Sequence, residues 1–369
     1  MRGDRLSLIY AIGGKHRCIV PPIVARSLTS LSSLANRCRG PPKVSLPPYD
    51  AGVRGLVGCD LATAAIAFPA MPSEVSSSAV SAMPSRNEIC SAAFWRAFAS
   101  DLHLGGLSSA AATDARSSLP LFSQSMQRDG YFEGHEAQLQ TLAPAIGRAV
   151  EKCVEVGLPP VFVWVFDEPW ESFRIIAPII SHFLGADYKL QPAFWAWHID
   201  PKKRESGWRP HRDNSRSLAP DGAPMTLTSW VPLSDATPQN GCMYVVPAHL
   251  DPHYGKPTTP RSQLPDLSLA RALPVRPGDY LVWNQAVLHW GGESNEAAER
   301  PRMSIALEFQ RGDIPPIQGP LLSADTVPPF ETRIRLIARQ ILQYTHMYQW
   351  SPDLLRLAKD MQYAAIDPA

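Results

Sequence analysis

Residues 225–246, MTLTSWVPLSDATPQNGCMYVV, contain two short runs typical of β-strands, Met225 to Val231 and Met243 to Val246. Both runs combine β-branched and aromatic residues, which favour a pleated and half-buried surface. The dipeptide Asn240-Gly241 between them favours a turn, because both residues tolerate a left-handed backbone. This stretch therefore predicts two strands joined through a turn.

The chain around this stretch also contains short predicted strands separated by turns. Thirteen prolines fall between Pro201 and Pro277, and no long helix can pass through a segment interrupted so often. Pro277-Gly278-Asp279 marks another turn. Three further runs are predicted to be strands: Ala193 to Ile199, Tyr280 to Trp283 and Met303 to Phe309. Many short strands with proline-rich loops predict an α+β fold with a β-sandwich or jelly-roll core flanked by helices.

Other segments have helical spacing or continuous apolar character. The run Val161 to Phe166 (VFVWVF) is wholly apolar and short, so we expect a buried strand there. The segment from Trp170 to Leu184 predicts a helix with a kink at Pro178. The remaining predicted helical segments are Ala92 to Leu102, Glu136 to Val156, and Thr332 to Met361, the last as one or two helices.

Composition excludes several classes of protein. The chain has 35 Lys plus Arg and 34 Asp plus Glu, so it lacks the basic excess of a nucleic-acid or membrane-surface binder. No run approaches the roughly 20 apolar residues that a membrane span needs. The six cysteines lie far apart and form no CxxC pair, which indicates isolated thiols in a reducing compartment. We therefore expect a cytoplasmic protein with no membrane span and no nucleic-acid partner. The sequence contains no pattern that indicates the oligomeric state.

Four segments are expected along the chain. Residues 1–50 form a Pro/Ser-rich extension with eight basic residues and two acidic ones, which suits either an organelle transit peptide or an unstructured extension. Residues 51–122 are Ala/Ser-rich and weakly patterned, so we expect poor order over much of that segment. The jelly-roll domain is predicted over residues 123–315, and a helical segment over residues 316–369.

His211 and Asp213, in the segment WRPHRD (residues 208–213), form a candidate metal-binding pair. Residues two apart in a strand point to the same face, so these side chains can reach one point in space. His289 follows a predicted strand and precedes Gly291-Gly292, as a third ligand from an adjacent strand would. Two His and one carboxylate leave three coordination positions open, an arrangement used by non-haem Fe(II) oxygenases.

A second His-x-Asp pair, His198 and Asp200, competes with the first. Such pairs often occur by chance, and the pattern alone does not choose between them.

Arg302 and Ser304 share one face of a predicted strand that begins thirteen residues after His289. A guanidinium with a neighbouring hydroxyl suits the far carboxylate of a 2-oxo acid whose other end chelates the metal. The charges then sum to zero: Fe(II) with Asp213 gives +1, 2-oxoglutarate adds −2, and Arg302 adds +1. Arg300 is the rival cation. We prefer Arg302 because Pro301 places Arg300 before the strand.

Four segments together resemble the phytanoyl-CoA dioxygenase family of Fe(II)/2-oxoglutarate oxygenases, over about residues 127–310. They are WRPHRD, TLTSWVPLSDATPQNGCMYVVPAHL, RPGDYLVWNQAVLHWGG and RPRMSIALEF. The stretch from Trp230 to His249 resembles the family signature, which begins W-x-x-L-x-D-A-x-x-x-N-G and ends in S-H. It departs from that signature at Ala248, where serine is usual, and this position is in a loop.

The resemblance implies a double-stranded β-helix (cupin-like jelly roll) and a choice of ligands. The family's ligand pair precedes the signature tryptophan by a little under twenty residues, which fits His211, nineteen before Trp230, and not His198. The implied cofactor is Fe(II), with 2-oxoglutarate and O2 as cosubstrates and ascorbate as reductant. Trp230 would lie beside 2-oxoglutarate, although a place in the sheet core suits it equally.

The implied reaction is hydroxylation of an unactivated C–H bond of a small organic molecule, with decarboxylation of 2-oxoglutarate to succinate. A halogenase would need a halide in place of the Asp213 carboxylate. A non-catalytic jelly-roll binding module and a cupin-like metal isomerase or zinc hydrolase remain the alternatives. Residues adjacent to the ligands in sequence are candidate substrate contacts: Arg212, Asn214, Ser215 and Gln285.

Overall fold

The computed structural model describes residues 83–107, 112–257 and 263–363. The predictions for residues 1–50, and for the part of 51–122 that precedes Met83, lie outside the described residues. The boundaries predicted at residues 123 and 315 stay predictions.

The described chain is an α+β fold with two antiparallel sheets, which confirms the predicted fold class. The larger sheet has six strands in the order β1-β6-β3-β8-β2-β9, and the smaller has three in the order β5-β4-β7. The strands are β1 Tyr131–His135, β2 Lys189–Ile199, β3 Thr226–Pro232, β4 Met243–Val246, β5 Arg271–Leu273, β6 Asp279–Asn284, β7 Leu288–Gly291, β8 Arg302–Gln310 and β9 Leu322–Ser323. All five runs predicted to be strands in the core are strands, and β7, which carries His289, was not predicted.

Strand β8 shows how the larger sheet divides its side chains between two faces. Ile305, Leu307 and Phe309 belong to the core cluster shared with the helices. Ala306 belongs to a second cluster with residues of both sheets, including Trp230 of β3 and Val245 of β4. Because alternate residues of a strand point to opposite faces, the polar residues in register with Ala306 face the space between the sheets.

Helices cover the outer face of the larger sheet. They are α1 Arg86–Ile89, α2 Ala92–Phe98, α3 Leu119–Asp129, α4 Ala137–Glu155, α5 Asp167–Ile175, α6 Ala177–Leu184, α7 Phe330–Gln343 and α8 Pro352–Tyr363. Helix α4 confirms the prediction from its spacing, and Gly157 beyond it has a φ of 75°. The predicted C-terminal helical segment is two helices, α7 and α8. No helix in the described part of the chain is long and apolar enough to cross a membrane.

Two elements differ from their predictions. The run Val161 to Phe166 is not a strand, because residues Pro160–Val165 form a 3-10 helix. Pro160 lacks the N–H that a sheet ladder needs and has a fixed φ, and a run that is buried on all sides has no period that distinguishes strand from helix. The segment predicted as one kinked helix from Trp170 is two helices, α5 and α6. Pro178 lies in the first turn of α6, where its missing N–H has no intrahelical partner to lose.

The described segment before Ser123 contributes to the same core as the larger sheet. Ile89 and Trp95 are fully buried and belong to the helix-side cluster. Trp95 donates its indole N–H to the carbonyl of Ile89 at 2.8 Å, and its ring stacks on Phe162 with centroids 5.9 Å apart. Helices α1 and α2 are therefore part of the packed unit.

We expect Trp95→Ala to lower the free energy of unfolding by about 3–5 kcal/mol, because it removes a large buried side chain. Leu121→Ala is the matched control: Leu121 is 66% exposed, and its loss should cost less than about 0.5 kcal/mol. Urea denaturation followed by tryptophan fluorescence and circular dichroism measures both. An effect of Trp95→Ala as small as the control's would show that this segment does not stabilise the fold.

Candidate active site

His211 and His289 are brought together by their own backbones. His211 lies in the loop between β2 and β3, not in a strand as predicted, and forms an isolated antiparallel bridge with His289 of β7. Each residue donates its backbone N–H to the other's carbonyl, both at 3.0 Å. Side chains of such a pair project to one face, and the two imidazole centroids lie 4.4 Å apart.

Asp213 completes a group of three at this point. Its Oδ1 lies 3.3 Å from His211 Nε2 and 3.5 Å from His289 Nε2. One ligand atom of each residue lies within 4.8 Å of the other two, and no other such group of three His, Cys, Asp or Glu occurs among the described residues. The structure thus brings together the three residues that the sequence singled out.

Hydrogen bonds fix which nitrogen of each imidazole faces the centre. His211 Nδ1 lies 2.6 Å from the carbonyl of Arg209, and His289 Nδ1 lies 3.0 Å from that of Val287. A carbonyl only accepts, so both Nδ1 atoms must carry a proton, and in the neutral imidazole each Nε2 then presents a lone pair. His211 Nε2 is buried without a hydrogen-bond partner. A buried lone pair of this kind fits a metal ligand.

The Asp213 carboxylate is oriented in the same way. Its Oδ2 accepts hydrogen bonds from Thr228 Oγ1 at 2.8 Å and from Trp283 Nε1 at 3.1 Å, so Oδ1 is the oxygen on the side of the imidazoles. Burial alone would raise the pKa of Asp213, but the two imidazoles and the Thr228 hydroxyl hold that pKa below its ordinary range. Burial lowers the pKa of His289 to about 4. Near neutral pH, one carboxylate and a neutral His289 face the centre, which are the forms that bind a cation.

The competing pair has other partners. His198 lies opposite Met303 in the β2–β8 ladder. Asp200 accepts a hydrogen bond from the backbone N–H of Lys202 at 3.0 Å and begins a short 3-10 helix. Neither residue lines the pocket around His211.

Arg302 is buried at the same pocket, with 1% of its surface exposed. Its Nε donates to the carbonyl of Gly241 at 3.1 Å and its Nη1 donates to Ser304 Oγ at 2.7 Å. Its Nη2 is buried without a partner. Burial lowers the pKa of Arg302 to about 10, so the side chain is still charged at neutral pH. Arg300, the rival, is exposed.

Aromatic side chains make a large part of the pocket wall. Trp230 lines the pocket, its indole N–H is buried without a partner, and the Arg302 guanidinium lies 5.6 Å from its ring. Four more tryptophans, together with Phe194 and Tyr344, complete this wall: Trp195, Trp197, Trp208 and Trp283. Glu308 also lines the pocket. The sequence did not single out Glu308 or Tyr344, although Glu308 follows Arg302 at an even spacing along β8.

The four candidate substrate contacts do not line the pocket. Arg212 is buried in an ion pair with Asp251. Asn214 accepts a hydrogen bond from the backbone N–H of Arg216 at 2.9 Å. Gln285 donates to Thr228 Oγ1 at 3.2 Å, behind the wall. For Arg212 and Asn214, the immediate neighbours of the ligands, adjacency in sequence misled because a residue next to a ligand in an extended chain points to the opposite side.

A known family matches the part of the chain that contains this site. The model of the family described as phytanoyl-CoA dioxygenase (PhyH) matches residues 130–303, which include the three candidate ligands and Arg302. Residues 130–303 are a PhyH-family domain. The resemblance found in the sequence is thereby confirmed.

Solved structures resemble this PhyH domain in fold. The non-heme α-ketoglutarate-dependent epimerase SnoN from nogalamycin biosynthesis is 18% identical, with 53% of this chain and 84% of SnoN covered and a TM-score of 0.39. The carbocyclase SnoK from the same biosynthesis is 18% identical, with 58% and 100% covered and a TM-score of 0.43. AviO1 from Streptomyces viridochromogenes is 18% identical, with 56% and 99% covered and a TM-score of 0.41. Likenesses at this level carry no argument about activity. The chain has no significant match among curated proteins.

We expect His211→Ala to weaken Co(II) binding by at least about 100-fold, because loss of a ligand exceeds the 10–100-fold cost of losing a ligand's supporting hydrogen bond. His198→Ala is the matched control and should leave Co(II) binding unchanged. Visible absorption of the Co(II) protein measures both. The reverse pattern would move the metal site to the other His-x-Asp pair.

Proposed function

We propose that this PhyH-domain protein is an Fe(II)/2-oxoglutarate-dependent dioxygenase that hydroxylates an unactivated C–H bond of a small organic molecule. The observation that carries the proposal is the presence, in one pocket, of the His-Asp-His group and of the buried Arg302, which is hydrogen-bonded to Ser304. A metal site alone would suit many reactions, and a buried cation beside it specifies an anionic second ligand.

In this proposal His211, Asp213 and His289 hold Fe(II). Their Nε2 and Oδ1 atoms converge, and their outer atoms are fixed by backbone carbonyls, Thr228 and Trp283. The iron, when bound, would supply the oxidising chemistry with O2 while 2-oxoglutarate is converted to succinate and CO2. Ascorbate would keep the metal reduced between turnovers.

Arg302 and Ser304 hold the far carboxylate of 2-oxoglutarate in this proposal. Arg302 lines the pocket with an unpartnered Nη2, and its Nη1 is held by the Ser304 hydroxyl. With Fe(II), Asp213 and Arg302, bound 2-oxoglutarate brings the summed charge to zero, as a buried site requires. The indole of Trp230 lies against Arg302 and would pack along the cosubstrate.

The aromatic wall has a role of its own. Rings of Trp195, Trp208 and Tyr344 limit the access of water, which strengthens every electrostatic interaction in the site and protects a reactive centre from side reactions. Asp213 occupies the carboxylate position of the three ligands, which favours hydroxylation over halogenation.

The alternatives fit the pocket less well. A cupin-like isomerase or zinc hydrolase gives no role to the Arg302-Ser304 pair. A non-catalytic binding module gives no reason for a buried imidazole nitrogen without a hydrogen-bond partner, which costs about 1–3 kcal/mol of stability.

The test is succinate formation with Fe(II), 2-oxoglutarate, O2 and ascorbate, compared between Arg302→Ala and Arg300→Ala. We expect Arg302→Ala to raise the KM for 2-oxoglutarate by about 10–100-fold, because a charge-assisted hydrogen-bonded contact contributes about 1.5–3 kcal/mol. Arg300→Ala should keep the wild-type KM.

A rise in the KM for 2-oxoglutarate confined to Arg300→Ala would show that Arg300, and not Arg302, binds the far carboxylate. Metal-independent succinate formation, or none by any variant including the wild type over a broad screen of small metabolites, would contradict the proposed function.

A further inference from the structure

Glu308 is a pocket-lining carboxylate that the proposed reaction does not use. It lies on the same face of β8 as Arg302 and six residues further along, about 20 Å at the rise of an extended strand. It lies opposite Thr228 in the β3–β8 ladder, and Thr228 contacts Asp213. The pocket therefore has a guanidinium at its 2-oxoglutarate end and a carboxylate at the other end, beside the three candidate ligands.

The Glu308 carboxylate is held in place. Gln285 is buried, and its Nε2 donates to Glu308 Oε2 at 2.9 Å and to Thr228 Oγ1 at 3.2 Å. Thr228 in turn donates to Asp213 Oδ2. This chain of hydrogen bonds fixes the carboxylate before any substrate arrives, which reduces the entropic cost of binding to it.

Aromatic rings line the same pocket. Tyr344, at the end of α7, lies with its ring centroid 4.9 Å from Trp195 and 4.7 Å from Trp208. The indole N–H groups of both tryptophans donate to Tyr348 Oη, each at 2.9 Å. Their donors are engaged, so these two rings offer π-surface to the pocket and not hydrogen bonds. Both tyrosines lie outside the residues that match the PhyH family.

We propose that the substrate carries a positively charged nitrogen, as an amine or a quaternary ammonium, which binds between Glu308 and the rings of Trp208 and Tyr344. A carboxylate only accepts hydrogen bonds and attracts a cation, and aromatic faces bind cations in preference to neutral polar groups. The proposal rests on the proposed function in one respect: it takes this pocket to be the place where the substrate reacts.

The experiment compares cations with neutral molecules of the same shape. The cationic probes are benzyltrimethylammonium and protonated benzylamine, and the neutral ones are neopentylbenzene and benzyl alcohol. Binding to the full chain is followed by tryptophan fluorescence and calorimetry, with and without redox-inert Zn(II) and 2-oxoglutarate. We expect at least one cation to bind about 10-fold or more tightly than its neutral counterpart.

Glu308→Gln keeps the shape of the side chain and an oxygen for Gln285, and removes the charge. We expect it to weaken cation binding by about 10–100-fold, in line with a charge-assisted contact, and to leave the neutral probes unchanged. Glu133→Gln, at an exposed position on β1, is the matched control and should change neither. Tyr344→Phe should keep cation binding, whereas Tyr344→Leu should weaken it.

Equal binding of charged and neutral probes, absence of cation binding, or an unaltered affinity in Glu308→Gln would overturn the proposal. The affinities of Glu308→Gln for Zn(II) and 2-oxoglutarate are measured on the same protein. They test the proposed function separately from the binding of a cationic substrate. Failure of the wild type to bind Zn(II) or 2-oxoglutarate counts against the proposed function, and the probes in the metal-free protein still decide the question of the cation.

Discussion

The site depends on one pair of backbone hydrogen bonds, through which His211 and His289 bind each other's N–H and carbonyl groups. These bonds tie the loop before β3 to strand β7 of the smaller sheet, so the two imidazoles are placed by main chain and not by flexible side chains. The carbonyls of Arg209 and Val287 then fix the ring tautomers. Asp213 follows His211 by two residues, so its carboxylate lies beside the same two imidazoles. A rigid site of this kind binds a cation without paying to organise its ligands.

Strand β8 supplies the rest of the pocket through its alternation. Apolar residues of the strand pack under the helices, and Arg302, Ser304 and Glu308 alternate with them on the opposite face. The pairing of this one strand with its neighbours therefore positions both the guanidinium of Arg302 and the carboxylate of Glu308 in the pocket. Tyr344, which follows α7, adds its ring from outside the PhyH domain, so part of the pocket wall comes from a segment that the family match does not cover.

The sequence predicted the elements that depend on contacts between residues close in sequence. Five core strands followed from apolar runs between turn residues, and the candidate ligands followed from a two-residue spacing together with a family signature. It did not predict the 3-10 helix at Pro160, because a uniformly buried run has no period. It did not single out Glu308 or Tyr344, and it proposed Gln285 as a substrate contact and not as the hydrogen-bond partner of Glu308. The meeting of these residues depends on strand register and on the docking of α7, which are long-range contacts that no local pattern encodes. Arg212 appeared to be a substrate contact from its position, yet its guanidinium is committed to Asp251.

The most direct test of the central claim is the visible absorption of the protein under anaerobic conditions, after addition of Fe(II) and then 2-oxoglutarate. A 2-oxo acid that chelates Fe(II) through its keto and carboxylate oxygens produces a charge-transfer band, and the account predicts this band at one equivalent of each component. Asp213→Ala should abolish the band, and Asp200→Ala should retain it. A wild-type protein that binds Fe(II) but gives no band with 2-oxoglutarate would contradict the account.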